Sequence, residues 1–303
     1  MEYFMIGMHG KVDQKKFKRD YISGFRGIEV CSFEDMNDIN KLFQLKETKD
    51  FEISVHFPLK KNKNKGRDPL FLSLDKKIRE EEYKRIEEEI QLIIDNKINP
   101  KYILIHFPKP VIIENDFNMN LWKFASRKEY YYESQIDFQV FKELSERFIH
   151  MFSMLGEKYG FMPVLELDAI NRYIYEEEFL ETILKKYSNV KLCLDTGRLA
   201  LQEIIDTKFQ AKRVVEKFID FTEVVHVWNL RVNNGIQEYH YPVLQNQKIE
   251  EGWGNVKGIL EAMSYTKNNI NILFEHDSSL INDNELLSCY NYVRNKLQGV
   301  ESI

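Results

Sequence analysis

Imidazole and carboxylate side chains recur at or just after the ends of short apolar runs in this chain. They are His9, His56, His106, Glu166, Asp195, His226 and Glu275. A single histidine at such a position is usually a hydrogen-bonded core residue, but a glutamate inside an apolar run is rarer because burying an unpaired carboxylate is costly. Histidine and carboxylate groups together suit zinc, manganese or a similar divalent ion. The pattern therefore predicts metal chemistry if the fold gathers these side chains.

The stretch KLCLDTGRLAL, residues 191–201, shows the choice that each such residue presents. An apolar, strand-like run, Val190–Leu194, ends in Asp195, and a turn and a second apolar-spaced run follow. Taken alone, Asp195 has roughly even odds of being the cap of the following helix. The carboxylates and imidazoles that end the other runs favour a metal ligand over a helix cap.

Eight predicted strands are each followed by a polar loop and an amphipathic stretch. The strands are Tyr3–Met8, Gly27–Cys31, Phe51–Phe57, Tyr102–Phe107, Met162–Leu167, Val190–Leu194, Val224–Trp228 and Ile270–Phe274. The predicted helices are Leu74–Asn96 with Ser73 as its cap, Phe138–Tyr159, Glu176–Tyr187, Arg198–Ile205, Ala211–Phe218, Asn255–Tyr265 and Asp283–Leu297. This alternation predicts a parallel sheet.

Eight strand–helix units favour a closed (β/α)₈ TIM barrel, in a single domain over residues 1–303. An open, doubly wound sheet is the alternative, but His9-Gly10-Lys11 after the first strand lacks a glycine-rich phosphate-binding pattern. The active site of such a barrel lies at the carboxyl ends of its strands. We therefore expect three histidines, two glutamates and one aspartate to share one rim, where one or two divalent ions would relieve their repulsion.

Composition limits the classes of protein to which this chain could belong. The chain is 43% hydrophobic and 30% charged, with a net charge of -5, which is typical of a soluble globular protein with no global attraction to nucleic acid. Three separated cysteines, Cys31, Cys193 and Cys289, predict core thiols and a reducing cytoplasm. No signal peptide or membrane-spanning run is visible, so we expect no membrane partner.

These residues resemble the xylose isomerase-like TIM barrel superfamily, which includes sugar isomerases and epimerases and the endonuclease IV branch of AP endonucleases (family 2). The resemblance covers nearly the whole chain. In the isomerase and epimerase members, strands five to eight supply one metal with Glu, Asp, His and Glu, which implies Glu166, Asp195, His226 and Glu275 here. The sequence His240-Tyr-Pro242 and the later Glu251-Gly252 also resemble the turn that follows strand seven in the family.

The endonuclease IV branch adds two histidine ligands, which the resemblance places at His56 and His106, sharing Glu166. Its third metal needs a histidine three residues after the strand-six aspartate and an acid-x-His element after strand seven. Glu238-Tyr239-His240 matches the second element, but Arg198 stands at the first, and an arginine cannot ligate a cation. We expect no third metal, and we expect Arg198 to face an anionic substrate group or a neighbouring carboxylate.

The resemblance implies a metal-dependent isomerase or epimerase of a sugar, sugar phosphate or polyol. Glu166 and Glu275 would move a proton next to a carbonyl through a metal-stabilised enediolate. His56 and His106 would hold substrate hydroxyls or a second ion. The expected substrate contacts are Arg198, Glu238, His240, His9 and Asn229.

Three questions stay open at this point. The alternative functions are an endonuclease IV-like phosphodiesterase acting on abasic-site DNA and a barrel that binds a small molecule without catalysis. The oligomeric state is open, a homo-oligomer included. The long loop Lys109–Asp137, which contains Trp122, is equally a lid, a dimer contact or plain packing.

Overall fold

A barrel of eight parallel strands forms the centre of the computed structural model, which describes residues 3–62, 66–264 and 269–299. In chain order the strands are β1 (Phe4–His9), β2 (Gly27–Phe33), β3 (Glu52–Lys60), β4 (Tyr102–Phe107), β5 (Met162–Leu167), β6 (Lys191–Asp195), β7 (Thr222–Val227) and β8 (Asn271–Phe274). Each pairs with the next, and β8 pairs with β1, so the sheet has no edge. The predicted TIM barrel is confirmed, and the open sheet is wrong.

Ten α-helices lie in the described part of the chain. They are α1 (Gln14–Asp20), α2 (Asp38–Thr48), α3 (Lys76–Asp95), α4 (Phe138–Tyr159), α5 (Arg172–Tyr175), α6 (Phe179–Lys186), α7 (Thr196–Ile205), α8 (Ala211–Phe218), α9 (Val256–Met263) and α10 (Asp283–Leu297). The sequence did not predict α1, α2 or α5, which are short and carry few apolar side chains. The predicted end of α9, Tyr265, lies outside the described residues.

Helix α3 has a different cap from the one predicted. The Asp75 carboxylate accepts hydrogen bonds from the backbone N–H of Lys77 (2.8 Å) and Ile78 (3.3 Å), so the helix begins at Lys76. Ser73 is therefore not the cap. It lies two residues too early, and its hydroxyl is 3.5 Å from that of Tyr131.

Alternation along the strands brings the polar residues into one layer inside the barrel. A buried apolar layer within the barrel contains Leu104, Val164, Cys193, Val224 and Leu273. Successive side chains of a strand point to opposite faces, so the residue two positions later enters the barrel as well. Those residues are His106, Glu166, Asp195, His226 and Glu275. The strand period thus stacks the ligand-type side chains on an apolar floor.

Two small two-stranded sheets lie in the loops that follow β4 and β7. After β4, Val111–Ile113 pairs in parallel with Tyr130–Tyr132, and after β7, Asn229–Val232 forms an antiparallel hairpin with Ile236–Tyr241. The three cysteines are free and buried, as predicted. None of the helices in residues 3–62, 66–264 and 269–299 is long and apolar enough to cross a membrane.

The start of α7 packs directly on Trp228, which is fully buried after β7. The Thr196 hydroxyl donates to the Trp228 carbonyl (2.8 Å), and the indole N–H of Trp228 donates to Asp195 (2.9 Å). A Cβ atom at Gly197 would meet the indole ring at 2.3 Å. Only glycine therefore lets this helix approach the ring that holds Asp195.

We predict that Gly197→Ala lowers the free energy of unfolding by about 1–3 kcal/mol, because the added methyl overpacks the indole. Without a clash, alanine would stabilise a helix position by up to about 1 kcal/mol, so the sign is informative. Chemical denaturation measures the change. Gly66→Ala is the control, since its Cβ would meet no atom of the described residues closer than 3.9 Å. Equal or higher stability of Gly197→Ala would contradict the packing described here.

Candidate functional site

Two clusters of ligand-type side chains lie on either side of Glu166 at the barrel mouth. Site A consists of Asp195, His226 and Glu275, whose ligand atoms lie within 4.8 Å of one another, with Glu166 beside them. Nδ1 of His226 is 3.4 Å from Glu275 Oε2 and 3.6 Å from Glu166 Oε2. Site B consists of His56, His106 and Glu166, which also meet this distance limit. The structure thus gathers all six predicted metal ligands, while their roles stay predictions.

The His226 ring is oriented by a buried carboxylate that the sequence analysis missed. Nε2 of His226 lies 3.3 Å from Glu29 Oε2, and the same oxygen accepts a hydrogen bond from the Tyr102 hydroxyl (2.8 Å). This geometry assigns the Nε2–H to Glu29 and turns Nδ1 toward site A. Nδ1 is buried and has no hydrogen-bond partner among the described residues. An atom in that position calls for a proton or a cation.

Site A carries more negative charge than its own residues can balance. Burial, together with the charges of Glu166 and Glu275, raises the pKa of Asp195 to about 7. Burial alone would lower the pKa of His226, but Cys193 and the carboxylates around it raise that pKa. Each shift shows that an added positive charge would be stabilised here. The donor set and the unpartnered Nδ1 together fit a divalent ion.

Asp195 is also a helix cap, which corrects the expectation that it would be a ligand instead of a cap. One carboxylate oxygen accepts the backbone N–H of Arg198 (2.9 Å) at the start of α7. The other accepts the indole N–H of Trp228 and lies 3.6 Å from Nε of Arg198. A carboxylate has enough lone pairs for both roles, so the two interpretations do not exclude each other.

Site B is arranged like a metal site but faces two guanidinium groups. Nδ1 of His56 is 3.0 Å from the Phe57 carbonyl, and Nδ1 of His106 is 2.8 Å from Asp68, so both Nδ1–H groups donate outward. Both Nε2 atoms then turn toward Glu166, at 3.0 and 3.3 Å.

Arginine N–H groups already lie on those two nitrogen atoms. Nη2 of Arg67 is 3.0 Å from Nε2 of His56, and Nη2 of Arg198 is 3.3 Å from Nε2 of His106. A guanidinium stays charged and repels a cation. A second ion would therefore have to displace both arginines from site B.

A buried ion network supports the rim between β4 and β6. Lys109 lies 2.8 Å from Asp68 and 2.5 Å from Asp168, and Arg198 donates to Asp168 (2.6 Å) and Glu166 (3.1 Å). Burial opposes ionisation of Asp168, but Arg198 and Lys109 outweigh it and lower its pKa to about 2. We expected Arg198 to face either an anionic group of the substrate or a neighbouring carboxylate. The structure shows the second of these, with Asp168 and Glu166 as the carboxylates.

Two cavities open at the mouth. One, of about 480 Å³, is lined by Lys109, Arg198, Trp122, Phe124 and Tyr239 among others. The other, of about 530 Å³, is lined by His9, His56, His240, Glu275 and Glu29 among others. Arg67 lines both. The loop Lys109–Asp137 thus contributes aromatic wall to the first cavity.

The predicted substrate contacts divide into two groups. His9 and His240 line the second cavity, and His240 stacks on Trp228 at 4.2 Å while its Nδ1 donates to the Glu275 carbonyl (3.1 Å). Glu238 lines neither cavity and lies on the hairpin 4.0 Å from Nη2 of Arg231. Asn229 is buried, and its amide is used by Gln247 and Leu230. The structure brings neither Glu238 nor Asn229 to these two cavities, because Glu238 lies beside Arg231 and the amide of Asn229 is used by Gln247 and Leu230.

Five mouth residues were missed as site residues: Glu29, Arg67, Asp68, Lys109 and Asp168. Glu29 stands in the apolar run Gly27–Cys31, the same signal that identified Glu166. Asp168 follows Glu166 by two residues. Arg67, Asp68 and Lys109 come from loops, where no strand period indicates which side chains turn inward.

Solved structures share this architecture at low sequence identity. A D-tagatose 3-epimerase-like protein matches with a TM-score of 0.60 and 16% identity, over 97% of each chain. D-psicose 3-epimerase from Clostridium cellulolyticum H10 matches with a TM-score of 0.57 and 15% identity, over 97% of this chain and 99% of that one. In its fold, the chain is similar to xylose isomerase-like TIM barrel proteins. This confirms the expected fold resemblance.

An AP endonuclease of family 2 from Brucella melitensis has the same fold, with a TM-score of 0.54, 15% identity and coverage of 96% of this chain and 99% of that one. Isomerase-type and endonuclease-type barrels are thus both similar to this chain in structure. No protein-family model matches the sequence, and no curated protein is similar to it in sequence. The choice between reactions must come from the residues at the mouth.

We predict that Lys109→Met lowers the free energy of unfolding by about 3–5 kcal/mol, because it leaves Asp68 and Asp168 buried without their shared cation. Lys109 is 3% exposed. Lys208→Met is the control, since it removes an exposed lysine that pairs with Glu114 at 3.4 Å and should leave stability within error. Urea unfolding of the two variants makes the comparison, and equal losses would contradict the role of the network.

Proposed function

We propose that this protein is a divalent-metal-dependent isomerase or epimerase of a sugar, sugar phosphate or polyol. The observation that carries the proposal is site A, where Nδ1 of His226 makes no hydrogen bond among the described residues and lies 3.4 Å from Glu275 and 3.6 Å from Glu166. Asp195, His226, Glu275 and Glu166 would hold the ion, with manganese or zinc as the candidates. When bound, such an ion polarises a substrate carbonyl and stabilises the enediolate.

Glu166 and Glu275 are suited to a two-base proton transfer. Both carboxylates lie within 4 Å of the same nitrogen of His226, so they flank one point at the mouth. The Glu275 side chain is 25% exposed and lines a cavity, whereas that of Glu166 is 1% exposed and lies against His56 and Arg198. One carboxylate would remove the proton next to the carbonyl, and the other would return it.

The side chains that line the two cavities suit a substrate rich in hydroxyls. His9 and His240 offer ring nitrogens in the cavity that Glu275 lines, and Trp122, Phe124 and Tyr239 form an apolar wall in the other cavity. Both cavities fall in the usual size range for small-molecule sites. We propose a small sugar-like partner and a cytoplasmic location.

Site B supports an endonuclease-type phosphodiesterase as the second candidate. Its two histidines are held by outward hydrogen bonds in the way that metal ligands usually are. However, Arg67 and Arg198 cover both Nε2 atoms, and Arg198 replaces a histidine that the third metal of that branch needs. The net charge of -5 also gives no attraction to DNA. These features favour the isomerase or epimerase.

We predict that turnover of ketoses or their phosphates requires added Mn²⁺ or Zn²⁺ and is lost after treatment with EDTA. Glu275→Gln should lower kcat by about 10²–10⁴-fold, because a proton-transfer group is removed. Glu238→Gln, which changes a hairpin carboxylate outside both cavities, is the matched control and should keep kcat. Full activity of Glu275→Gln, or cleavage of an abasic-site duplex without any sugar turnover, would refute the proposal.

A second prediction concerns the carboxylate behind His226. Glu29→Gln should weaken the affinity for Mn²⁺ by about 10–100-fold, since losing the partner of a ligating histidine has effects of that size. Competition with a metal-binding dye measures the dissociation constant. Glu52→Gln is the control, because it changes a glutamate of β3 that pairs with Arg26. It should leave the dissociation constant for Mn²⁺ unchanged. An unaltered affinity in folded Glu29→Gln would show that Glu29 does not orient the ligand.

A further inference from the structure

The cations at the mouth differ in whether a carboxylate forms an ion pair with them. Lys109 is shared by Asp68 and Asp168, and Arg198 pairs with Asp168 and Glu166. These two positive charges are used within the protein. They hold the rim together and have little left to offer a ligand.

Arg67 is different. Within residues 3–62, 66–264 and 269–299, its Nη2 donates to the His56 ring and to Sγ of Cys31 at 3.8 Å. No carboxylate of these residues forms an ion pair with it, and the neighbouring residues 63–65 are Lys, Asn and Lys. Its side chain is exposed and lines both cavities. If Arg67 only covered His56, one N–H group would be enough, whereas a guanidinium offers five.

The backbone that carries Arg67 is held in place on both sides. Nη2 of Arg85 donates to the carbonyls of Gly66 (2.7 Å) and Arg67 (2.9 Å), and Arg85 is itself 8% exposed and pairs with Glu82. The next residue, Asp68, is fixed by His106 and Lys109. The loop thus presents, from a fixed position, a guanidinium that forms no ion pair with a carboxylate of the described residues.

We propose that Arg67 binds an anionic group of the substrate, a phosphate or a carboxylate, and so selects anionic over neutral sugars. The proposal rests on the sugar-directed function above and names its substrate class. A guanidinium matches the planar, two-pronged geometry of both oxyanions. Because Arg67 lines both cavities, an anion there leaves the rest of a sugar within reach of Glu275 on one side or Trp122 on the other.

The test compares three ligands of matched carbon skeleton on the metal-loaded protein: D-fructose, D-fructose 6-phosphate and D-fructuronate. Isothermal titration calorimetry should show that one of the two anions binds at least 10-fold more tightly than fructose. The anion that does so identifies the group that Arg67 binds as a phosphate or a carboxylate. In Arg67→Met this preference should fall below about 3-fold. Arg213→Met, which removes an exposed arginine of α8 outside both cavities, should keep it. Arg67→Lys keeps the positive charge but not the two-pronged guanidinium, so it should keep part of the preference for the anion. It replaces Arg67→Met in the test if that variant does not fold.

Equal affinity for all three sugars, or a preference that survives in Arg67→Met, would overturn the assignment of Arg67. The assay also separates the two proposals. An Arg67-dependent preference without metal-dependent turnover would leave this inference standing and refute the isomerase. Metal-dependent turnover of neutral sugars that is unaffected by Arg67→Met would refute the role of Arg67 and leave the isomerase proposal standing.

Discussion

The organisation of the mouth depends on the electrostatic repulsion among carboxylates that the barrel buries in one layer. Glu166 and Asp195 are each 1% exposed, and Glu29 is 4% exposed. Such groups stay ionised only with positive partners or hydrogen-bond donors nearby. This need explains the residues around these carboxylates, because the protein supplies positive charge unevenly to the two sides of the mouth.

Protein cations balance the carboxylates of one side of the mouth more fully than those of the other. Arg198 and Lys109 satisfy Asp168 and Asp68, and the low pKa of Asp168 reflects this pairing. Around His226, Arg198 is the one lysine or arginine of the described residues that pairs with a carboxylate, at 3.1 Å from Glu166 and 3.6 Å from Asp195. It does not balance this side, because burial and the charges of Glu166 and Glu275 still raise the pKa of Asp195 to about 7. This asymmetry is the reason that we propose site A rather than site B for the divalent ion. It also explains why two arginines near His56 and His106 are compatible with a metal enzyme.

The sequence predicted the barrel and the gathering of ligands because both follow from strand periodicity. Glu166, Asp195 and His226 each lie two residues after an apolar residue of the barrel interior, so alternation alone turns them to the same layer. The cap role of Asp195 was underestimated, because a choice between ligand and cap ignored the second carboxylate oxygen. Arg67 and Lys109 were missed because loops have no period. Their inward direction depends on tertiary contacts such as that between Arg85 and the Arg67 carbonyl.

The most direct test of this account is a crystal structure of the protein soaked with Mn²⁺, with anomalous scattering recorded at a wavelength that identifies manganese. The account predicts one strong peak per chain, within about 2.0–2.3 Å of ligand atoms of Asp195, His226 and Glu275. Arg67 and Arg198 should remain on His56 and His106. A peak between His56 and His106 with site A empty, or no peak at either site, would contradict the charge asymmetry on which the account rests.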